Sequence, residues 1–194
     1  MNPEVFVLGG PNGAGKSTTA PTLLPERLDI EQFVNADMIA RGLSPFSPAS
    51  SALEAGRIML RRIHQLRNLH VSFAFETTLA SRSYVRFLQD AQQSGYIVHV
   101  IYIWVSSVEL ALSRVAARVR QGGHDVPVET IKRRYQRGLV NFFRLYQPLA
   151  DSWTLCDNSG DKLVIVAHDG KEADPTILVQ ECFDTIRDQA DHAA

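Results

Sequence analysis

Cysteine, long apolar runs and an excess of charge of either sign are all scarce in this sequence of 194 residues. Its two cysteines, Cys156 and Cys182, have no pairing pattern or metal-ligand spacing, so a disulfide framework and a thiolate metal site are not expected. The longest apolar stretch, near residues 97–105, is well short of the ~18 residues that a membrane-spanning helix needs. A net charge of −1 argues against a protein whose whole surface binds nucleic acid.

What the chain does contain is enough apolar material for a sizeable core, because 45% of its residues are hydrophobic. No repeat, low-complexity tract or linker divides it, so we expect one domain over residues 1–194. Reduced thiols and the lack of an apolar leader predict a cytoplasmic protein.

One short motif carries most of the chemical information. The segment Gly10-Pro-Asn-Gly-Ala-Gly-Lys16-Ser17 fits the phosphate-binding pattern GxxxxGK[ST], and it directly follows an apolar run that is typical of a buried strand. In such loops the backbone N–H groups surround the phosphates, the lysine adds a cation, and the serine hydroxyl is a ligand for Mg²⁺. The expected cofactors are therefore ATP or GTP with Mg²⁺. The residues predicted to bind the nucleotide are Gly10, Pro11, Asn12, Gly13, Ala14, Gly15, Lys16, Ser17 and Thr18.

Strand and helix patterns alternate along the rest of the chain. Apolar, β-branched and aromatic runs predict strands over residues 5–9, 32–36, 71–75, 97–105, 153–157 and 163–167. Helices are expected between them, the first kept short by Pro21 and Pro25, and the last beginning at Asp174-Pro175. This order predicts an α/β P-loop NTPase fold, with a mostly parallel five-stranded sheet and helices on both faces.

Two carboxylates follow predicted strands and are therefore expected at the ligand-binding edge of the sheet. Asp37 is the candidate base for the acceptor hydroxyl, although an aspartate here is also a plausible helix cap. Glu76 either holds Mg²⁺ through water or binds acceptor hydroxyls, and the alternative is a carboxylate bonded only to neighbouring backbone. Thr77 and Thr78 supply further hydroxyls for the acceptor.

Arginines are concentrated between residues 107 and 147, where two helices meet at Gly122-Gly123. This pattern predicts a hinged, Arg-rich helical lid that closes onto the polyphosphate, with solvated helix faces as the alternative for any single arginine. We expect Arg118 and Arg134 to be catalytic and Arg120 to bind the nucleotide, with Arg133 also a candidate. His124, in the loop between the helices, is a weaker candidate for a phosphate contact.

Several short segments, taken in order, resemble the zeta-toxin-like P-loop kinases, in particular their compact bacterial branch. The resemblance covers nearly the whole chain. It rests on Gly9 to Ser17, Asn35-Ala-Asp37, Phe75-Glu76-Thr77-Thr78-Leu79, Arg118 to Pro127 and Ile131-Lys-Arg-Arg-Tyr135.

The resemblance implies a kinase that moves the γ-phosphate of a nucleoside triphosphate to a sugar hydroxyl of UDP-N-acetylglucosamine. In that family Asp37 looks like the base, Lys16 and the lid arginines look like charge stabilisers, and Glu76 and Thr77 look like acceptor-pocket residues. A small antitoxin partner is implied by analogy alone. The chain departs from the toxins in its lid, where Gly122-Gly123-His124 stands in place of an arginine before the lid proline.

Two alternatives remain open from the residues themselves. The same machinery suits another hydroxyl acceptor, such as a nucleoside, a sugar or a polynucleotide end. A different class is a nucleotide-binding switch that hydrolyses slowly or not at all, in which Asp37 has no acceptor to deprotonate.

Overall fold

The structure is a computed structural model that describes residues 2–123, 125–170 and 174–193. Strands and helices alternate through most of these residues, as predicted. The strands are β1 (Glu4–Gly9), β2 (Phe33–Val34), β3 (Phe73–Thr77), β4 (Ile97–Trp104), β5 (Ser152–Asp157), β6 (Val164–Gly170) and β7 (Thr176–Ile177). The α-helices are α1 (Lys16–Leu28), α2 (Ala36–Leu43), α3 (Ala52–Asn68), α4 (Ser83–Gln93), α5 (Val108–Arg120), α6 (Val128–Asn141) and α7 (Gln180–His192).

The strands form one sheet in the order β2-β3-β1-β4-β5-β6-β7. The first five in this order are parallel, while β6 and β7 add antiparallel strands at one edge. The predicted α/β class with a mostly parallel sheet is confirmed, and the two antiparallel strands extend the expected five to seven. Because successive crossovers bring the carboxyl ends of β1, β2, β3 and β4 to one edge, side chains that follow these strands converge there.

Helices cover both faces of the sheet, and each face has its own apolar core. Val5 and Val7 of β1 pack on the side of α3, α4 and α7, whereas Phe6 and Leu8 pack on the side of α1, α5 and α6. This alternation follows from the two-residue period of a strand, and burial on both faces explains why the central strands are continuously apolar. No helix among the described residues is long and apolar enough to cross a membrane.

The first helix is longer than predicted. Pro21 and Pro25 both lie inside α1, which nevertheless runs for 13 residues. The two prolines are four residues apart and both are exposed, so the missing hydrogen bonds lie toward solvent, while Ala20 and Leu24 are buried against the sheet. Burial of the inner face therefore outweighs the unfavourable helix propensity of proline.

Other element boundaries also differ from the prediction. Strand β3 begins and ends two residues later than expected, so Glu76 and Thr77 are its last two residues. Asp174-Pro175 does not start the final helix, because the chain first adds β7 to the sheet edge and α7 begins only at Gln180. The backbone of residues 176–177 forms a strand because it pairs with β6. A proline directly before an edge strand is compatible with that pairing.

The two helices of the predicted lid, α5 and α6, are joined by a loop that begins with Gln121. Gly122 has a positive φ of 82°, and its N–H together with that of Gly123 bonds carbonyls in the last turn of α5. This geometry is a helix C-cap. The prediction for His124 falls outside the described residues. Helix α6 continues into a π-helical turn, Phe142–Tyr146, which packs its aromatic residues into the core.

Helix α6 passes unusually close to the loop that follows β3. A Cβ added at Gly138 would collide with the backbone oxygen of Thr78. We therefore expect Gly138→Ala to lower the free energy of unfolding by about 1–3 kcal/mol, as overpacked sites do. Gly56→Ala is the matched control, since Gly56 lies inside α3 and a Cβ there meets nothing within 4 Å.

The control substitution should raise the free energy of unfolding by roughly 0.5–1 kcal/mol, because alanine restricts the unfolded chain and favours the helix. Urea denaturation of both variants measures the difference. Equal effects of the two substitutions would contradict the close approach of α6 to the β3 loop.

Candidate functional site

The predicted phosphate loop lies between the end of β1 and the start of α1. Gly10 and Gly13 have φ values of 140° and 80°, and a Cβ at either position would collide with a backbone oxygen, of Ile103 or Ala111. Glycine alone both adopts a positive φ without strain and lacks the Cβ that would collide. The loop is closed by a hydrogen bond from the N–H of Ala14 to the carbonyl of Pro11, 3.2 Å long. The sequence motif thus adopts a tight turn whose N–H groups lie at the N-terminus of a helix, where anions bind.

Lys16 is the first residue of α1 and folds back over the loop. Its Nζ donates to the carbonyl oxygen of Pro11 at 2.9 Å and lies 3.6 Å from Oε1 of Glu76, while only 5% of the side chain is exposed. Burial lowers the pKa of the Lys16 ammonium, and the nearby charges of Glu76 and Asp37 oppose this effect. An ammonium held in this way is pre-positioned to interact with a polyphosphate.

Glu76 joins the loop to the neighbouring strands. Its Oε2 accepts hydrogen bonds from Ser17 Oγ at 2.7 Å and from Asn35 Nδ2 at 2.6 Å. The carboxylate is therefore bonded to side chains from two other elements, not only to neighbouring backbone. Its two predicted roles, Mg²⁺ binding through water and hydrogen bonding to the acceptor, both stay predictions.

The donor set suits Mg²⁺, which prefers hard oxygen ligands and is usually held by one or two protein groups together with phosphates. Ser17 and Glu76 place a hydroxyl and a carboxylate oxygen within one hydrogen bond of each other. The described residues contain no group of three or more histidine, cysteine or acidic side chains that would suit a metal bound by protein alone. Ser17 remains the predicted ligand, and Glu76 is the carboxylate beside it.

Asp37 lies in the first turn of α2 but does not cap that helix. The cap is Asn35, whose Oδ1 accepts from the backbone N–H of Met38 at 3.1 Å. The Asp37 side chain is 43% exposed and its Oδ2 lies 3.9 Å from Nη1 of Arg118. The alternative of a capping aspartate is thus wrong, and the carboxylate faces the same cleft as the phosphate loop.

Two of the predicted lid arginines reach this cleft from different helices. Arg118, on α5, approaches Asp37, and Arg134, on α6, donates to Oδ1 of Asn12 in the phosphate loop at 3.3 Å. Burial lowers the pKa of the Arg134 guanidinium, an effect that the charge of Asp37 opposes. Arg120 and Arg133 have exposed side chains, so their roles stay predictions.

The two threonines after Glu76 are not among the residues that line the cleft. Thr77 Oγ1 accepts from the N–H of Leu79 at 3.2 Å, and it therefore stabilises the turn that leaves β3. Thr78 lies in that turn, with its carbonyl against Gly138 of α6. Their predicted role in binding the acceptor stays a prediction.

Position after a predicted strand favours a contact between Asn158 and the purine, whereas the structure shows Asn158 in contact with the phosphate loop, which no local pattern predicts. Asn158, beyond the end of β5, donates from Nδ2 to the carbonyl of Ala14 at 2.8 Å. Arg114 in turn donates to the carbonyls of Asn158 and Ser159, at 2.6 and 3.1 Å. Arg114 therefore holds Asn158 in place, and Asn158 in turn stabilises the phosphate loop at Ala14.

Together these side chains line a cleft of about 540 Å³, which is a typical size for a small-molecule site. The residues that line it are Asn12, Gly13, Gly15, Lys16, Ser17, Thr18, Thr19, Asp37, Glu76, Arg114, Ala117, Arg118, Gln121, Asn158 and Leu163. The cleft therefore brings a phosphate cradle, a lysine, two carboxylates and arginines into one volume, which is the inventory that phosphoryl transfer requires.

Asn35 offers a test of the carboxylate cluster. Asn35→Asp keeps an oxygen for the N–H of Met38 but replaces the amide donor to Glu76 by a second carboxylate. We expect this variant to lose about 1–3 kcal/mol of unfolding free energy at pH 7, the cost of an unsatisfied charged group. The loss should shrink toward pH 4, since one proton shared by the two carboxylates relieves their repulsion.

Asn35→Ala is the control for the lost helix cap. It removes both the cap and the amide donor to Glu76 without adding charge, so its loss of about 1–2 kcal/mol should change less between the two pH values than the loss in Asn35→Asp. Chemical denaturation at pH 4 and pH 7 separates the two variants. A deficit in Asn35→Asp that does not change with pH would contradict the contact between residues 35 and 76.

Comparison with known proteins identifies the relatives of this chain. A family model named AAA_33, described as an AAA domain, matches residues 5–139. A protein of Haemophilus influenzae (strain ATCC 51907 / DSM 11121 / KW20 / Rd), described only as uncharacterized, is 35% identical over 136 residues, which cover 70% of this chain and 94% of that protein.

Solved structures share the fold at lower identity. The crystal structure of AvrRxo1-ORF1:-ORF2 with ATP is similar with a TM-score of 0.79 and 21% identity, over 95% of this chain. This chain spans 63% of the length of that matched chain. The PezAT chromosomal toxin-antitoxin system of Streptococcus pneumoniae is similar with a TM-score of 0.66 and 15% identity, over 99% of this chain and 87% of that one. These likenesses support the P-loop NTPase-like fold.

Proposed function

The chain belongs to the AAA_33 family of AAA domains, and we propose that it is a kinase that transfers the γ-phosphoryl group of ATP or GTP to a hydroxyl of a nucleotide sugar. UDP-N-acetylglucosamine is the acceptor that the motifs favour. The observation that carries the proposal is the placement of Asp37 in one cleft with Lys16, Ser17 and Glu76. In a protein that only binds nucleotide, Asp37, which is 43% exposed in this cleft, would have no acceptor to deprotonate.

Each side chain then has a role in the transfer. The phosphate loop and Lys16 hold the β- and γ-phosphates, and Asp37 accepts the proton of the acceptor hydroxyl as its oxygen bonds to the γ-phosphorus. The bond between that phosphorus and the β,γ-bridging oxygen breaks, and the nucleoside diphosphate leaves. Ser17 and Glu76 are the residues that would hold Mg²⁺, and the ion would supply positive charge that neutralises the phosphates.

The lid arginines complete the proposal. Arg118 lies near Asp37 and Arg134 contacts Asn12 of the phosphate loop, so the two side chains approach the site from two helices. Guanidinium groups placed in this way stabilise the charge that spreads over the transferred group.

The choice of acceptor is supported by sequence motifs. Asn35-Ala-Asp37 and Phe75-Glu76-Thr77-Thr78 resemble the corresponding motifs of zeta-toxin-like kinases, and PezAT, a toxin-antitoxin system, shares the fold. A small antitoxin that covers the cleft belongs to the same proposal.

The test is a transfer assay with Mg²⁺, γ-labelled ATP and four separate acceptors: UDP-N-acetylglucosamine, free N-acetylglucosamine, uridine and a 5′-hydroxyl oligonucleotide. We expect label on the nucleotide sugar. Label on another acceptor would replace the proposed substrate, and steep loss of that activity with salt would identify a polynucleotide. A protein that binds ATP and labels none of the four would contradict the kinase proposal.

A further inference from the structure

A second cleft, of about 560 Å³, lies between the loop that follows β3 and the C-terminal part of α6 with its π-helical continuation. Among the described residues its lining carries three arginines and no acidic residue: Ala80, Arg82, Arg137, Val140, Asn141, Arg144, Leu145 and Ala193. Nothing in the assignment of the nucleotide site uses these arginines.

The fold brings the three arginines together from two segments. Arg137 on α6 and Arg144 on its π-helical continuation both line the cleft. Arg82 stands at the N-cap of α4, at the end of the β3 loop. Asn141 fixes the loop against α6, because its Nδ2 donates to the carbonyl of Leu79 at 2.7 Å.

In the part of the chain that the structure describes, no carboxylate forms an ion pair with the arginines of this cluster. Arg82, Arg137 and Arg144 are exposed, and none forms an ion pair within residues 2–123, 125–170 and 174–193. Other exposed arginines do, as Arg67 does with Asp90. Three like charges around one concavity repel one another, and an anion in the cleft would remove that repulsion.

The arginine cluster lies partly on α6, the helix that also contacts the phosphate loop. Arg134, which contacts Asn12 of the phosphate loop, lies three residues before Arg137 and ten before Arg144. At a rise of about 1.5 Å per residue these positions are roughly 5 and 15 Å further along the helix.

We propose that Arg82, Arg137 and Arg144 form a second anion site, which holds a phosphate or pyrophosphate group of the phosphoryl acceptor. The assignment to the acceptor rests on the proposed kinase function. Guanidinium groups match phosphate oxygens in geometry and remain charged at all working pH values. The acceptor is therefore a small ester of phosphate or pyrophosphate, and its reactive hydroxyl lies at Asp37. Free sugars and nucleosides, which lack the phosphate, are poor substrates.

The experiment compares two triple variants of the full chain. One is Arg82→Ala with Arg137→Ala and Arg144→Ala; the control is Arg57→Ala with Arg61→Ala and Lys132→Ala, which removes three exposed cations that do not line the cleft. Calorimetry measures the binding of inorganic pyrophosphate while a non-hydrolysable ATP analogue and Mg²⁺ saturate the phosphate loop. We expect at least about tenfold weaker pyrophosphate binding in the first variant only.

The steady-state arm uses the phosphorylated acceptor found in the transfer assay. The first variant should raise its KM by about tenfold or more with little change in kcat, because these arginines bind and do not react. An unchanged affinity for the ATP analogue shows that the variant is folded. A third variant, with lysine at the three positions, should retain part of the pyrophosphate binding.

Three results would overturn the proposal: no pyrophosphate binding by the nucleotide-saturated protein, equal losses in the two alanine variants, or tighter binding of a 5′-hydroxyl oligonucleotide than of pyrophosphate. The binding arm needs no turnover. If the protein phosphorylates nothing but binds pyrophosphate through these arginines, the kinase proposal fails and the anion site stands.

Discussion

Replacement of Asp37 by asparagine is expected to lower kcat about 10²–10⁴-fold, which is the usual contribution of a general base. Asparagine keeps the shape of the side chain but cannot accept the proton of the acceptor hydroxyl. The affinity for ATP should change by no more than about twofold, because Asp37 faces the acceptor side of the cleft and binds no phosphate in this account. Initial rates of transfer and equilibrium binding of an ATP analogue measure the two quantities.

The control is Asp188→Asn, the same chemical change at an exposed position on α7. It should leave both quantities unchanged. Loss of ATP binding in Asp37→Asn would contradict the assignment of Asp37 as the base, and would place it in the nucleotide site. An unchanged kcat would show that another group takes the proton.

Lys16→Met should lower kcat/KM by about 10²–10³-fold, as the removal of a charge stabiliser from a water-poor site does elsewhere. Methionine keeps much of the stem but lacks the ammonium, which here lies between Pro11 and Glu76. ATP affinity should fall as well, which distinguishes this variant from Asp37→Asn. Lys132→Met, on the exposed face of α6, is the control and should behave like the unmodified protein.

The same lysine predicts a pH dependence of stability. Burial lowers the pKa of Lys16 below its ordinary value of 10.5, so the folded chain binds fewer protons than the unfolded chain just below that pH. The free energy of unfolding, relative to Lys16→Met, should therefore rise with pH through the alkaline range. Bound polyphosphate should abolish this rise, because it favours the charged form. A difference that falls with pH would contradict the burial of the ammonium.

The parts of the site that were predictable from the sequence are those with a local signal. The phosphate loop is a contiguous motif whose glycines have a steric reason, and Asp37 and Glu76 follow apolar runs that end at the ligand-binding edge of a parallel sheet. The alternation of strands and helices was likewise enough for the fold class. In these cases the structure depends on residues that are near one another in sequence.

Contacts between distant segments had no such signal. Asn158 meets Ala14 across 144 residues, and Arg134 meets Asn12 across 122. The length of α1 was misjudged for a related reason, since burial of Leu24 against the sheet compensates for two prolines. Tertiary burial overrides local propensity in that helix, and only the folded chain shows it.

The most direct test of the kinase account is the ratio of nucleoside diphosphate formed to acceptor phosphorylated, measured in one reaction by chromatography and mass spectrometry. A kinase with Asp37 as its base should give one phosphorylated acceptor for each ADP, with little free phosphate. ADP that appears only with free phosphate, whatever acceptor is supplied, would contradict the account and would identify a nucleotide hydrolase or switch.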